Sequence, residues 1–202
     1  TVLVTRLGYM IHCKGIDPRR ILTVTYTVAA TKDMAARFAA KFGPELAEQL
    51  EFRTINGICA KVLQYYGYRT GKTPHQLLND EKRIAGILAE IYQQVERVYP
   101  TDGDLKNIRT LITYIKNMML NEDEIEALDE EAECKISVIY REYCSKLKEL
   151  QMIDYDDQMV YAYVMLKKIP WLLAYFQELY PYICVDEAQD TSKIQHAIIA
   201  LL

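Results

Sequence analysis

The sequence predicts an α/β fold, with a parallel sheet layer and a large all-helical inserted subdomain. Short β-branched and apolar segments lie towards both ends of the 202-residue chain, and helical patterns follow them. This alternation is typical of a parallel sheet. The segment between them, about 80 residues long, shows helical periodicity only, which is far longer than the usual connection between neighbouring elements. We therefore expect the helical block to be an insertion into the sheet layer.

The first part of the chain carries the clearest strand signal. The segment ILTVTYT at 21–27 is β-branched and almost entirely apolar, which favours a strand buried on both faces of a sheet. The remaining elements of this part are predicted as helices at 2–13, 29–42 and 57–66 and a short strand at 51–55. The helices are predicted from the spacing of apolar residues, the Ala-rich composition and the Gly and Pro residues that end them.

A polar stretch punctuated by Gly and Pro, at 67–74, indicates a boundary in the chain. From 79 to 150 we expect helices only, and after them helices opening at Asp154 and Pro170. A short buried strand at 182–185 and a helix at 192–202 complete the pattern. The predicted domains are a sheet layer at 1–68 and 151–202 and a helical insertion at 69–150.

Composition narrows the class of protein. The chain has 24 basic and 28 acidic residues, so its net charge of −4 does not by itself favour a nucleic-acid partner. Five cysteines without a C-x-x-C pair indicate a reducing compartment, and we expect a cytoplasmic protein. No apolar run approaches the ~18 residues of a transmembrane helix, so no membrane partner is expected. The opening residues, without an initiator Met, suggest an excised segment.

The string DEAQD at 186–190 carries the chemistry. It follows an apolar strand, and the carboxyl ends of parallel strands border the ligand crevice in open α/β sheets. Asp186 is the candidate Mg²⁺ partner through water, and Glu187 is the candidate general base that orients and deprotonates a water molecule. Gln189 can bond a γ-phosphate or that water, and Asp190-Thr191 can cap the next helix. The alternative is an acidic, solvated turn without a catalytic role.

Four segments of the chain carry recognisable strings: ICVDEAQDT at 183–191, ILTVTYTVAATKDM at 21–34, RTINGICAKVL at 53–63 and DYDD at 154–157. Together they resemble the UvrD/Rep/PcrA-like superfamily 1 DNA helicases. The first three resemble motif II, motif Ia and the motif after Ia, and DYDD resembles the segment that precedes motif II in this family. The motifs occur in the family's order. The resemblance implies a partial RecA-like motor domain (1A-like) with a 1B-like helical insertion.

The resemblance implies roles for the matched positions, with ATP and Mg²⁺ as cofactors. Tyr26 stands where the family has an aromatic residue that lies against bases of single-stranded DNA. Thr27, Thr54 and Asn56 match positions near the DNA backbone, where hydroxyl and amide groups suit phosphate contacts. The implied partners are single-stranded and duplex DNA, bound without sequence preference, and the remaining helicase domains in cis. Val28-Ala29 and Asn56-Gly57 depart from the family pattern, which puts the strength of the DNA contact in doubt.

The family's phosphate-binding loop, G-x-x-x-x-G-K-[ST], is not recognisable. Gly71-Lys72-Thr73 follows a predicted helix and precedes Pro74, so we interpret it as a chance match. Without that loop and a second motor domain, these 202 residues are expected to be inactive alone. The parent protein is expected to be an ATP-dependent helicase of 3′-to-5′ polarity in DNA repair or recombination. The alternatives are a helicase subunit of a helicase–nuclease and a non-catalytic module that binds single-stranded DNA or protein.

Overall fold

The structure, a computed structural model, describes residues 2–202. They divide into two compact units, and each is described by itself. The sheet unit contains the described residues up to Lys72 together with Tyr161–Leu202. The helical unit contains Thr73–Val160. The predicted fold class, a parallel sheet layer with a helical subdomain, is confirmed.

A three-stranded parallel sheet forms the centre of the sheet unit. Its strands are β1 (Ile21–Thr25), β2 (Glu51–Thr54) and β5 (Tyr182–Val185), in the order β2-β1-β5. Every residue of β1 is buried, as the apolar, β-branched sequence predicts for a central strand. The predicted strand at 21–27 is two residues too long, because Tyr26 and Thr27 leave the sheet and Thr27 begins the next helix as its N-cap.

Helices cover this sheet and connect its strands. They are α1 (Val2–His12), α2 (Val28–Phe42), α3 (Pro44–Ala47), α4 (Ile55–Thr70), α10 (Pro170–Leu179) and α11 (Lys193–Leu201). One buried cluster joins α1 and α2 to the sheet through Leu7, Ile21, Phe38 and Cys184. Gly8 allows α1 to approach α2 closely, since a Cβ atom there would lie 2.1 Å from the Phe42 ring.

The helical unit is built from α5 (Glu81–Glu96), α6 (Asp102–Met118), α7 (Glu122–Ala132) and α8 (Ile136–Glu149). A pair of two-residue parallel strands, β3 (Gln76–Leu77) and β4 (Met152–Ile153), accompanies them, and α9 (Tyr155–Lys168) starts here and crosses the unit boundary. Asp80, Thr101 and Asn121 cap α5, α6 and α7 through their side chains. The apolar faces of these helices share a core that includes Leu88, Ile112, Ile139 and Leu147.

A buried polar network runs through the helical unit. Lys116 Nζ lies 2.9 Å from Asp154 Oδ2 and 2.7 Å from Asp157 Oδ1, and its side chain is almost wholly buried. Arg109 and Tyr143 donate to the same Asp154 oxygen at 3.3 and 3.1 Å. Asp154 also accepts from the Asp157 backbone N–H at 2.7 Å and so caps α9. The network therefore compensates the buried Asp154 and the half-buried Asp157 with a buried lysine.

The pKa values of the two carboxylates in this network, Asp154 and Asp157, shift in opposite directions. Burial raises the pKa of Asp154, but Lys116, the Asp157 backbone N–H and Arg109 outweigh it, so the net shift is downward. Burial also raises the pKa of Asp157, and although Lys116 lowers it, the charge of Asp154 leaves the net shift upward. A single lysine shared by two carboxylates thus favours one ionised member more than the other.

Two further observations concern the cysteines and membranes. Cys59 and Cys184 are buried thiols, as their apolar surroundings predict, and burial raises the pKa of Cys59 to about 12. Such a thiol carries no nucleophilic chemistry near neutral pH. Among the described residues, no helix combines the length and apolar character needed to cross a bilayer.

Candidate nucleotide and DNA site at the carboxyl edge of the sheet

The three parallel strands of the sheet unit end at one edge, and the predicted site residues follow them there. Thr25, the last residue of β1, is in register with Thr54, the last residue of β2. Val24 is in register with Val185 at the end of β5. The Asp186 N–H continues this pairing by donating to the Val24 carbonyl at 2.9 Å. The sheet therefore brings the acidic string after β5 beside the segment that begins with Tyr26.

Asp186 and Glu187 occupy the turn that leaves β5. Asp186 is half-buried and Glu187 is exposed. Neither carboxylate makes an ion pair or hydrogen bond within the part of the chain that the structure describes. Glu187 has φ +50° and ψ +46°, the left-handed conformation that costs a residue with a Cβ atom roughly 1–2 kcal/mol. A strained acidic residue with no described partner is a feature that clusters at functional sites.

The rest of the acidic string forms a short 3₁₀ turn, Ala188–Asp190. Gln189 is exposed, and its amide lies 3.5 Å from the carboxylate of Asp190. The predicted cap of α11 at Asp190-Thr191 is wrong, because the Thr191 hydroxyl donates back to the Ala188 carbonyl. Ser192 caps the helix instead, in a reciprocal capping box with Gln195. The signal for this box, S-x-x-Q, was present in the sequence.

The turn after β1 presents the predicted stacking residue. Tyr26 is 55 % exposed, which is unusual for an aromatic side chain that directly follows a buried strand. Two threonines fix the turn: Thr25 Oγ1 and Thr31 Oγ1 lie 2.6 Å apart, and both hydroxyls lie within hydrogen-bond distance of the Thr27 carbonyl. Sequence reasoning missed this clamp, although the repeated threonines at 25, 27 and 31 were a signal for it.

Thr27 and Thr54 have equivalent roles as the N-caps of the helices that follow β1 and β2. Thr27 Oγ1 accepts from the Ala30 N–H and Thr54 Oγ1 accepts from the Gly57 N–H, each at 3.0 Å. Each hydroxyl keeps its own proton as a donor while it caps α2 or α4. These helix N-termini also direct backbone N–H groups and positive dipole ends towards the sheet edge, a geometry that suits anions. Asn56 lies half-buried in the first turn of α4.

The carboxylates fit a magnesium ion that arrives with a nucleotide. The described residues contain no group of three or more His, Cys, Asp or Glu side chains arranged to hold a metal ion. Mg²⁺ commonly uses one or two carboxylates, several waters and the substrate's phosphates, and a single carboxylate such as Asp186 suits that role. Gly71 is the left-handed C-cap of α4, so Gly71-Lys72-Thr73 lacks the strand-to-helix geometry of a phosphate-binding loop.

These features define a partial RecA-like α/β layer that carries a helical subdomain. Residues 1–202 match the UvrD/REP helicase N-terminal domain over their whole length. The chain therefore belongs to the UvrD/REP helicase N-terminal domain family. The expected family relationship is confirmed, although the role of each site residue stays a prediction.

The curated relatives are named as DNA helicases. The chain is 26 % identical over 202 residues to the ATP-dependent DNA helicase PcrA of Leuconostoc citreum and covers 27 % of that protein. It is 29 % identical over 205 aligned residues to the probable DNA helicase II homolog of Mycoplasma capricolum subsp. capricolum and covers 28 % of it. In both alignments the whole of this chain is matched. The chain thus spans a little over a quarter of the length of these relatives.

Proposed function

We propose that this chain is part of an ATP-dependent DNA helicase that translocates on single-stranded DNA and unwinds duplex DNA. The proposal includes 3′-to-5′ polarity and a role in DNA repair or recombination. The observation that carries it is the backbone pairing of Asp186 with Val24, which sets the acidic turn beside the exposed Tyr26. In this proposal, residues 1–68 and 151–202 act as a 1A-like motor layer and residues 69–150 as a 1B-like insertion.

Asp186, Glu187 and Gln189 act on the nucleotide in this proposal. ATP with Mg²⁺ supplies the γ-phosphoryl group and the charge that polarises it. Asp186 would hold the hydrated Mg²⁺ ion through its carboxylate. Glu187, exposed and without a described partner, accepts a proton from the attacking water and orients it. Gln189 contacts the γ-phosphate or that water through its exposed amide.

The turns after β1 and β2 contact the DNA strand. Tyr26 offers a ring face on which a base stacks, a contact worth roughly 1–3 kcal/mol that needs no particular base. Thr27 and Thr54 donate their hydroxyl protons to phosphate oxygens while their oxygens cap the helices. Asn56 adds an amide in the first turn of α4. Phosphate contacts of this kind fix the register of the strand without reading its sequence.

The proposed nucleotide-binding and DNA-binding residues lie close together in the sheet unit. Only Thr25 separates Tyr26 from Val24, whose carbonyl accepts the Asp186 N–H at 2.9 Å. A shift of the acidic turn on hydrolysis would therefore move β1, and with it the turn that contains Tyr26. This arrangement supports coupling of the two sites within one rigid layer.

The test is DNA-stimulated ATP hydrolysis by the full-length parent and by its Glu187→Gln variant. We expect the variant to bind a fluorescent ATP analogue normally and to lose roughly 10²–10⁴-fold in turnover, as for loss of a general base. Glu48→Gln, at an exposed glutamate of the same unit, is the matched control and should retain turnover. A parent without ATPase activity in the presence of DNA would instead favour a non-catalytic module that binds single-stranded DNA or protein.

We further propose that residues 1–202 alone do not hydrolyse ATP. The transition state of phosphoryl transfer needs several positively charged or N–H donors around the phosphates. Among the described residues, no glycine-rich strand-to-helix loop supplies them at the sheet edge. Measurable DNA-stimulated ATPase activity of the purified 202 residues would refute this proposal.

A further inference from the structure

The far end of α4 and the start of α10 form an aromatic cluster in the sheet unit, in which Trp171 is exposed and the three tyrosines are half-buried. Tyr65 and Tyr175 stack with ring centroids 3.8 Å apart and an interplanar angle of 10°. Tyr66 and Trp171 lie nearly parallel, with centroids 6.1 Å apart and an angle of 13°. We call the surface that these rings form with two nearby cations the aromatic-basic patch, and its members are Tyr65, Tyr66, Arg69, Lys72, Trp171 and Tyr175.

The cations of the patch lie over the rings. The Arg69 guanidinium is 5.8 Å from the Tyr65 ring centre and 5.7 Å from that of Trp171. Lys72 Nζ is 5.9 Å from the Tyr66 ring centre. Within the described part of the chain, no carboxylate forms an ion pair with Arg69 or Lys72. Both cations therefore keep their charge available to an anionic ligand.

The exposure of Trp171, the largest ring of the patch, shows that the patch is accessible at the protein surface. Trp171 is 43 % exposed, whereas its helix neighbours Leu172 and Phe176 are fully buried. The helix α10 is thus anchored by other side chains, and the indole is not needed to fill the core. Exposed tryptophan beside arginine and tyrosine is the composition that dominates binding surfaces.

The charge around the patch contrasts with that of the whole chain. Residues 52–72 and 161–177 contain six basic residues and no acidic one, while the chain carries a net charge of −4. Of the acidic residues just beyond these segments, Glu51 is already paired with Arg53 and Lys61. Glu178 lies beyond Tyr175 on α10. The patch is therefore a basic, aromatic surface on an acidic protein.

We propose that the aromatic-basic patch is a second binding site for single-stranded nucleic acid. A base stacks on the exposed Trp171 ring, which the tyrosine rings support, and Arg69 and Lys72 contact the phosphates. An acidic peptide would use the cations but not the flat rings, and a proline-rich peptide would use the rings but not the cations. Since Tyr65 lies ten residues after the start of α4 at the sheet edge, the patch is roughly 15 Å along the helix from that edge.

The chain's single tryptophan makes a direct test possible. Trp171 is the only tryptophan in the 202 residues, so its fluorescence reports on the patch alone. We expect oligothymidylate of about 12 nucleotides, within the usual site sizes for single strands, to quench this emission saturably. Polyphosphate of equal charge should quench little, because it has no bases to stack.

A double variant in the patch, a charge-matched control and Tyr26→Ala together separate this site from the one at the sheet edge. Arg69→Gln/Lys72→Gln should weaken the quenching transition roughly tenfold and reduce its salt slope by about 1.4, the value for two lost single-strand phosphate contacts. Lys146→Gln/Lys148→Gln removes the same charge from α8 and should leave the transition unchanged. Tyr26→Ala removes the ring at the sheet edge, so a quenching transition that depends on Tyr26 and not on Arg69 and Lys72 would belong to that edge.

Three results would overturn the inference. The first is DNA binding, seen by anisotropy of a labelled strand, that leaves the Trp171 emission unaltered. The second is equal quenching by polyphosphate and oligothymidylate, which would make the patch a general anion site. The third is loss of quenching in Tyr26→Ala together with its retention in Arg69→Gln/Lys72→Gln, which would place all binding at the sheet edge.

Discussion

Two acidic segments, at 154–157 and 186–190, look alike in the sequence but have opposite environments in the structure. In the first, Asp154 is fully buried and bonded to Lys116, Arg109 and Tyr143. In the second, Asp186 is half-buried and Glu187 is exposed, and neither has a described side-chain partner. The same residue types are therefore buried and hydrogen-bonded in the helical unit, but half-buried or exposed and without a described side-chain partner at the sheet edge of the other unit.

The difference shows how burial and partners distinguish carboxylates that belong to the core from carboxylates that remain free to bind a ligand. A buried charge is tolerated only when it is paired and hydrogen-bonded, so the segment at 154–157 has to be fully compensated. An exposed carboxylate needs no partner and remains free to bind a ligand. The left-handed backbone of Glu187 recurs at Arg97, Met119, Glu133 and Gln151, so the conformation alone does not distinguish a functional residue.

The strongest test of this comparison removes the buried lysine. Lys116→Met keeps the apolar stem but leaves Asp154 and Asp157 without their shared cation, which should cost about 3–5 kcal/mol of unfolding free energy. The measurement is urea denaturation followed by circular dichroism. Arg141→Gln is the control, because Arg141 pairs with Glu122 and Glu126 at the exposed surface. Equal midpoints for the two variants would show that the buried network contributes no stability.

A second test exchanges one acidic residue of each segment for its amide. Asp154→Asn loses the charge that three donors share and should destabilise the chain by about 1.5–3 kcal/mol. Asp186→Asn should change stability by less than about 0.5 kcal/mol, since its carboxylate has no described partner. Thermal unfolding of the two variants side by side provides the measurement. A larger loss for Asp186→Asn would contradict the assignment of roles.

Acidification should affect the buried segment in two stages. The raised pKa of Asp157 means that the folded state gains a proton first, so stability should rise slightly as the pH falls towards about 4. The lowered pKa of Asp154 stabilises the fold above its unfolded value of about 3.9, and that contribution is lost as the pH falls further. Urea midpoints across this range give the profile. In Asp157→Asn the initial rise should disappear, and its persistence would assign the rise to another group.

Local sequence patterns predicted most of the elements that position the candidate site. The apolar run before Asp186 and the β-branched run before Tyr26 gave both strands, because such runs suit the buried strands of a parallel sheet. The two-residue strands β3 and β4 were missed, since two residues show no periodicity. The short helix α3 and the 3₁₀ turn after Glu187 were missed for the same reason.

Contacts between distant residues were not predictable from one sequence. The Lys116–Asp154 pair joins residues 38 positions apart, and the Tyr65–Tyr175 stack joins two helices far apart in the chain. DYDD at 154–157 was recognised by resemblance, but its burial follows from the packing of α6, α8 and α9. The backbone conformation of Glu187 was likewise invisible, because glutamate rarely adopts a positive φ.

The smallest expected effect concerns the strain at Glu187. Glu187→Gly removes the Cβ atom that opposes φ +50°, so it should be more stable than Glu187→Ala by about 1 kcal/mol. Arg97, at φ +63° on the C-cap of α5, is a matched position outside the site, and Arg97→Gly should exceed Arg97→Ala similarly. The measurement is the melting temperature of the four variants, with ATPase activity assayed in the full-length parent. Both Glu187 variants lose the carboxylate that is proposed as the general base and should lose hydrolysis, while both Arg97 variants should retain it. Equal stabilities of Glu187→Gly and Glu187→Ala would show that the turn is unstrained, and the conformation of Glu187 would then be no evidence for a catalytic role.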